Sequence, residues 1–118
     1  MPNDDSAAAP GSIAEWVTAL FDALRDPQAL EVTISAGVHG ATVECRGATK
    51  TLRRRGISSL FATGVFAKMK KLAGLDVAER RRMQRGRFRM RDFHGSPAEF
   101  EVTTGRVGRS ERLTLRQL

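Results

Sequence analysis

An α+β fold with a mainly antiparallel sheet of five to six strands and two main helices follows from three observations. Apolar residues recur at helical spacing in two stretches, near 12–26 and 58–73. Elsewhere they alternate with polar residues, as in strands with one buried face. The resulting order is helix, two or three strands, helix, three strands, which suits an antiparallel sheet with helices on one side. The 118 residues suffice for one domain with one modest core.

Ser12 opens the first helix, with Glu15 completing a capping-box pair, S-x-x-E. Ile13, Trp16, Val17, Leu20, Phe21 and Leu24 share one stripe, and Pro27 stops the helix. Residues 1–11 are acidic and carry no basic n-region or apolar h-region, so they read as a disordered leader before a domain at 12–118. Leu30, Val32 and Ile34, then Ala41, Val43 and Cys45, alternate around a loop with two glycines, so residues 30–46 form a hairpin. Cys45 falls on the apolar face and reads as a small core residue. Residues 48–53 are a weaker third strand with Leu52 inward, and Arg53 to Gly56 a basic turn.

Ser58 or Ser59 caps the second helix, whose stripe is Phe61, Val65, Met69 and Leu72, with Lys68, Lys70 and Lys71 pointing elsewhere. Gly74 occupies the position of a left-handed C-terminal cap, and Asp76 caps the turn that follows. From Arg87 the period is two, with arginines opposite Phe88 and Met90. A turn at His94-Gly95-Ser96-Pro97 leads to a return strand over 98–104. Centring this hairpin on Gly95 sets Arg91 against Glu99, Arg89 against Glu101, Met90 against Phe100 and Phe88 against Val102. Arg106 to Arg109 loops into a last strand with Leu113 and Leu115 buried.

Charge divides the chain. Residues 1–49 hold two basic and seven acidic side chains, and residues 50–118 hold 18 basic and six acidic, for a total of +7. A polarised basic half calls for an acidic partner: protein, nucleic acid, phosphate or an anionic surface. One cysteine and two scattered histidines argue against a zinc site and a disulfide framework, and no apolar run is long enough to span a membrane. Neither a phosphate loop nor a dinucleotide fingerprint is present. His39 and His94 sit in turns, and the few C-terminal carboxylates read as paired or capping. No catalytic set emerges, and no cofactor is called for. Base stacking needs exposed aromatics among the cations, whereas Trp16, Phe88 and Phe100 all fall on faces expected to be buried.

The run Lys68 to Arg87, with Leu75-Asp76-Val77-Ala78-Glu79-Arg80-Arg81 at its centre, resembles a segment of the type II secretion and type IV pilus motor ATPases. In their N-terminal domain it reads I-K-x-M-A-x-L-D-I-A-E-R-R-L-P-Q-D-G-R. The tail, Glu101 to Leu118, is similar to the end of the same domain, and the resemblance extends over residues 12–118. It implies a PAS-like fold that packs on an ATPase core, with Arg87 the best-matched candidate for reaching nucleotide phosphates and Arg46 a second. Met83 and Arg85 replace the proline and aspartate of P-Q-D-G, and the R-x-D-G that usually follows the second strand is missing. The chain stops where the ATPase core would begin, which fits either a piece of a larger motor or a stand-alone homologue. The natural-looking start and the altered P-Q-D-G favour the homologue.

The expectation is therefore a non-catalytic cytoplasmic interaction domain of a secretion or pilus system, docking on a motor ATPase or other acidic partner. Arg80, Arg81, Arg82, Arg85 and Arg87 carry the docking face, flanked by Lys70 and Lys71, with Arg46 at the end of the second strand a further partner- or phosphate-binding candidate. The alternative is a small nucleic-acid or nucleotide-phosphate binding module.

Overall fold

A computed structural model describes residues 10–91 and 95–118. Six strands form a single sheet: β1 (Glu31–Gly37), β2 (Gly40–Arg46), β3 (Thr51–Ile57), β4 (Gln84–Arg91), β5 (Pro97–Val107) and β6 (Ser110–Gln117). Two helices, α1 (Ile13–Ala23) and α2 (Ser59–Leu72), complete the fold. The spatial order is β3-β2-β1-β6-β5-β4, and every neighbouring pair is antiparallel. Two meanders, β1–β3 and β4–β6, are thus joined through α2 and meet at β1 and β6. The α+β architecture read from the sequence is the one observed, with six strands.

Both helices pack on one face of the sheet. Val32, Ile34, Cys45, Phe100, Val102, Leu113 and Leu115 alternate onto that face, where Trp16, Leu20, Ala62, Val65, Phe66 and Met69 bury them. The Cys45 thiol is pushed upward from its ordinary value, chiefly by burial, and Sγ donates to the Ala23 carbonyl. It is a core residue, as expected. The stripe of α2 is rotated from the expected one: Ala62 and Phe66 are buried, whereas Leu72 is 38% exposed. The opposite face of the sheet is polar, as one uncovered face of an antiparallel sheet can be.

The helix ends obey their signals. Ser12 Oγ accepts from Glu15 N at 3.1 Å, and the Glu15 carboxylate reaches back to Gly11 N at 2.7 Å. Ser58 Oγ accepts from Phe61 N, which makes Ser58 the cap of α2. Gly74, at φ +70°, ends α2 in a Schellman turn. Its amide donates to Lys71 O, and Leu75 N donates to Lys70 O at 2.8 Å.

Two expectations about strands are corrected. Arg53 to Gly56 is not a turn, since β3 runs through it to Ile57. An edge strand tolerates this charge, and arginines there discourage pairing with a second sheet. Arg54 faces Glu44 across the β2–β3 ladder, 3.8 Å away. The β4–β5 register differs by two residues from the expected one. Arg89 lies opposite Glu99, Arg87 opposite Glu101, Phe88 opposite Phe100 and Met90 opposite Ala98. Because the charges repeat every second residue, either register pairs them, so charge does not decide. The aromatic rings do. Phe88 stacks on Phe100 at 5.6 Å, and Phe21 meets Phe100 and Phe88 edge-on at 5.0 and 6.2 Å. Such pairs add about 0.5–1.5 kcal/mol each beyond burial. Arg91, expected opposite Glu99, instead donates to Gly95 O. His94 and the leader to residue 9 lie outside the described residues.

Candidate docking surface

The basic segment is built on a backbone fixed from several directions. After the Schellman turn, Asp76 N donates to Gln84 Oε1 at 2.8 Å, and Gln84 Nε2 returns a bond to Asp76 O at 3.0 Å. Asp76 Oδ1 accepts from Ala78 N. The Glu79 carboxylate accepts from Arg82 N at 2.7 Å and Arg81 N at 3.0 Å. Those amides, Arg82's foremost, hold the carboxyl below its usual range. Glu79 thus accepts from backbone donors, and although the charges of Arg82 and Arg81 also act on it, it forms no ion pair with an arginine side chain among the described residues.

Lys70 supplies the deepest anchor, and here the expectation of a surface lysine is corrected. Its side chain is 2% exposed. Nζ donates to Glu111 Oε2 and to Glu79 O, both at 2.7 Å. In the last turn of α2, the lysine faces the sheet rather than solvent, and burial of its charge is offset by the carboxylate and the carbonyl. It positions the loop and takes no part in its exposed face. Lys71, on the next helical position, is exposed.

Arg80, Arg81, Arg82 and Arg85 are exposed, and their side chains have no hydrogen-bond or ion-pair partner among the described residues. Arg87 is different. Its guanidinium lies 3.3 Å from Glu101 and 4.0 Å from Glu99. Glu101 is 3% exposed and also receives Arg116 at 2.9 Å. The segment thus divides after Arg85: the arginines up to Arg85 have no side-chain partner among the described residues, whereas Arg87 and Arg89 are engaged across the sheet and Arg91 on the Gly95 carbonyl. Arg46 is exposed at the end of β2, three strands from β5, and is not brought near the loop.

The Glu101 cluster has a consequence for acid stability. Arg116 first, then Arg87, hold its carboxyl below the ordinary 4.5, against the opposing effect of burial. A depressed folded value stabilises the fold above the unfolded value, and that contribution is lost as pH falls through the folded one. Urea unfolding at pH 7 and pH 3.5 is expected to show a smaller loss for Glu101→Gln than for the wild type. Equal losses would contradict the assignment.

The register also reveals residues that sequence reasoning missed. Gly105 pairs with Arg112 on β6, both on the polar face of the sheet. Met83 lies over Gly105: a Cβ built there would sit 3.7 Å from Met83 Cβ and Cγ. Arg85 pairs with Thr103, which pairs with Thr114. Met83, Arg85 and Arg112 therefore share one corner of the polar face. Met83 is 71% exposed, and Arg112 has no ion pair among the described residues. No local pattern joins residues 83 and 112; only the β4-β5-β6 order does.

The chemistry of the surface is that of a rigid cationic corner. Among the described residues no three His, Cys, Asp or Glu side chains are grouped to hold a metal ion. No helix among them is long and apolar enough to cross a membrane. No family model and no curated protein matches the chain. A solved structure does. The fold is similar to part of the Legionella pneumophila ATPase DotB, with a TM-score of 0.52 at 14% identity. The match covers 95% of this chain and 31% of that one. At this identity the likeness is one of fold. The chain spans about a third of the ATPase's length.

Proposed function

We propose that this chain is a non-catalytic interaction domain of a secretion or type IV pilus system. It docks on a motor ATPase or another acidic partner through Arg80, Arg81, Arg82 and Arg85. The resemblance of residues 68–87 and 101–118 to the N-terminal, PAS-like domain of the motor ATPases supports this reading. So does the likeness of fold to part of an ATPase. The observation that carries it is the loop itself: four exposed arginines, with no side-chain partner among the described residues, stand on a backbone fixed by Glu79, Gln84 and Lys70. A preformed surface loses little conformational entropy on binding, and unpaired exposed cations strengthen encounter with an acidic surface.

Among the described residues Trp16, Phe66 and Phe100 are buried, and Phe21, Phe61 and Phe88 are at least half covered by the core. The stacking platform of a single-strand binder is missing there, which favours a protein partner. The test is binding to the purified core of a type IV pilus motor ATPase at about 50 and 300 mM salt. Affinity is expected to fall with salt, and Arg81→Glu with Arg85→Glu to weaken it at least tenfold. Undiminished binding by that double variant would overturn the surface, and tighter binding to DNA of equal charge would overturn the choice of partner.

A further inference from the structure

Resting on that reading, the geometry points to the recognition rule of the surface: we propose that it takes an acidic peptide segment carrying an apolar anchor residue, which seats on Met83 and Gly105 between Arg85 and Arg112.

The placement of apolar surface within the charge is the first ground. Met83 is 71% exposed, and Val77 at the start of the same loop is 43% exposed. An unbranched thioether adapts to the shape of an incoming side chain. Beside it, Gly105 carries no side chain, and Thr103 and Thr114 continue that strip of the polar face with short ones. A side chain at position 105 would meet Met83.

The charges around this spot are the second ground. Arg85 flanks it on β4 and Arg112 on β6, while Arg80, Arg81 and Arg82 stand in the loop leading to Met83. Three carboxylates on the surrounding elements have partners of their own. Glu79 accepts two backbone amides, Glu111 holds Lys70, and Glu101 is shared by Arg116 and Arg87. Arg85 contributes to the field on Glu101, although no bond joins them. An acidic ligand therefore meets exposed guanidinium groups that no hydrogen bond or ion pair among the described residues holds. A bare phosphate polymer would use the arginines and leave Met83 idle. An acidic peptide with an apolar residue uses both, in the pattern of a buried anchor with a charged rim.

The experiment uses the whole chain and three labelled polymers of matched charge: poly-L-glutamate, a glutamate–tyrosine copolymer in a ratio of about four to one, and single-stranded DNA. Anisotropy titrations at about 100 mM salt read the affinities. The copolymer is expected to bind about tenfold tighter than poly-L-glutamate, a difference of ~1.4 kcal/mol. Met83→Ser is expected to erase that difference and leave poly-L-glutamate binding unchanged. Arg112→Glu is expected to weaken both. Circular dichroism of each variant checks that it folds. Equal binding of the two peptide polymers, or a difference that survives Met83→Ser, overturns the anchor while leaving the basic docking surface intact. Failure of both peptide polymers to bind overturns the docking surface as well. DNA binding tighter than the copolymer overturns the peptide class.

Discussion

Replacing Lys70 by methionine is expected to destabilise the domain by about 3 kcal/mol, because it leaves the Glu111 carboxylate without its partner. Removing one member of a buried pair costs roughly 3–5 kcal/mol, mostly for the charge left uncompensated. Glu111 is 19% exposed and recovers some hydration, which sets the expectation at the lower end of that range. The Glu79 carbonyl loses its donor at the same time, so the loop at 76–83 loosens along with the fold. For a domain of this size the change lowers Tm by roughly 10–20 °C. Pairing Lys70→Met with Glu111→Leu removes both charges. The double variant is expected to be less destabilised than the single changes sum to, the signature of a coupled pair. A Lys70→Met protein within about 0.5 kcal/mol of wild type in urea unfolding would show that the bond contributes nothing.

Lys70 also shows where sequence reading reached its limit. Its neighbours Lys68 and Lys71 look the same in sequence, and helical spacing alone allowed all three a place off the apolar stripe. What selects Lys70 is Glu111, 41 residues away on β6. Several local signals hold: Ser12, Ser58 and Gly74 mark helix ends, and Val32, Ile34, Cys45, Leu113 and Leu115 reach the buried face by alternation, although Leu30 lies outside β1 and is exposed. The register of β4 on β5 failed for a related reason. A charge pattern of period two satisfies more than one alignment, and the choice fell to Phe21, which arrives from α1 to meet Phe88 and Phe100. That shift matters to the site. It moved Arg87 from the unpaired group to the Glu101 cluster, and Arg91 from Glu99 to a backbone carbonyl. Edge strand β3 was read as a turn because its arginines outnumber its apolar residues, although an edge needs only one partner strand.

Gly86→Ala is expected to cost about 3 kcal/mol and to disable the docking surface. Overpacking a close contact typically costs 1–3 kcal/mol. Here the obstacle is backbone, so the upper end applies. A methyl at this position would overlap the Ala73 carbonyl oxygen and come within 2.9 Å of Leu75 Cδ2. A side chain could swing aside, but the Ala73 carbonyl belongs to the last turn of α2, which Gly74 and Leu75 fix by the Schellman bonds. Relief therefore requires β4 to move away from the helix end or that turn to unwind. Either movement disturbs the Asp76–Gln84 bonds, since Gln84 is two residues from the insult. Gly56→Ala on edge strand β3 provides the contrast, because nothing lies within 4 Å of its added methyl. That variant is expected to stay within about 0.5 kcal/mol of wild type, as surface substitutions generally do. Urea unfolding and polymer binding, measured on both variants, test the link between the tight helix–strand contact and the loop. A folded Gly86→Ala protein that binds the acidic copolymer as the wild type does would show that the surface tolerates a shifted β4, and that its recognition does not depend on the rigid backbone beneath it.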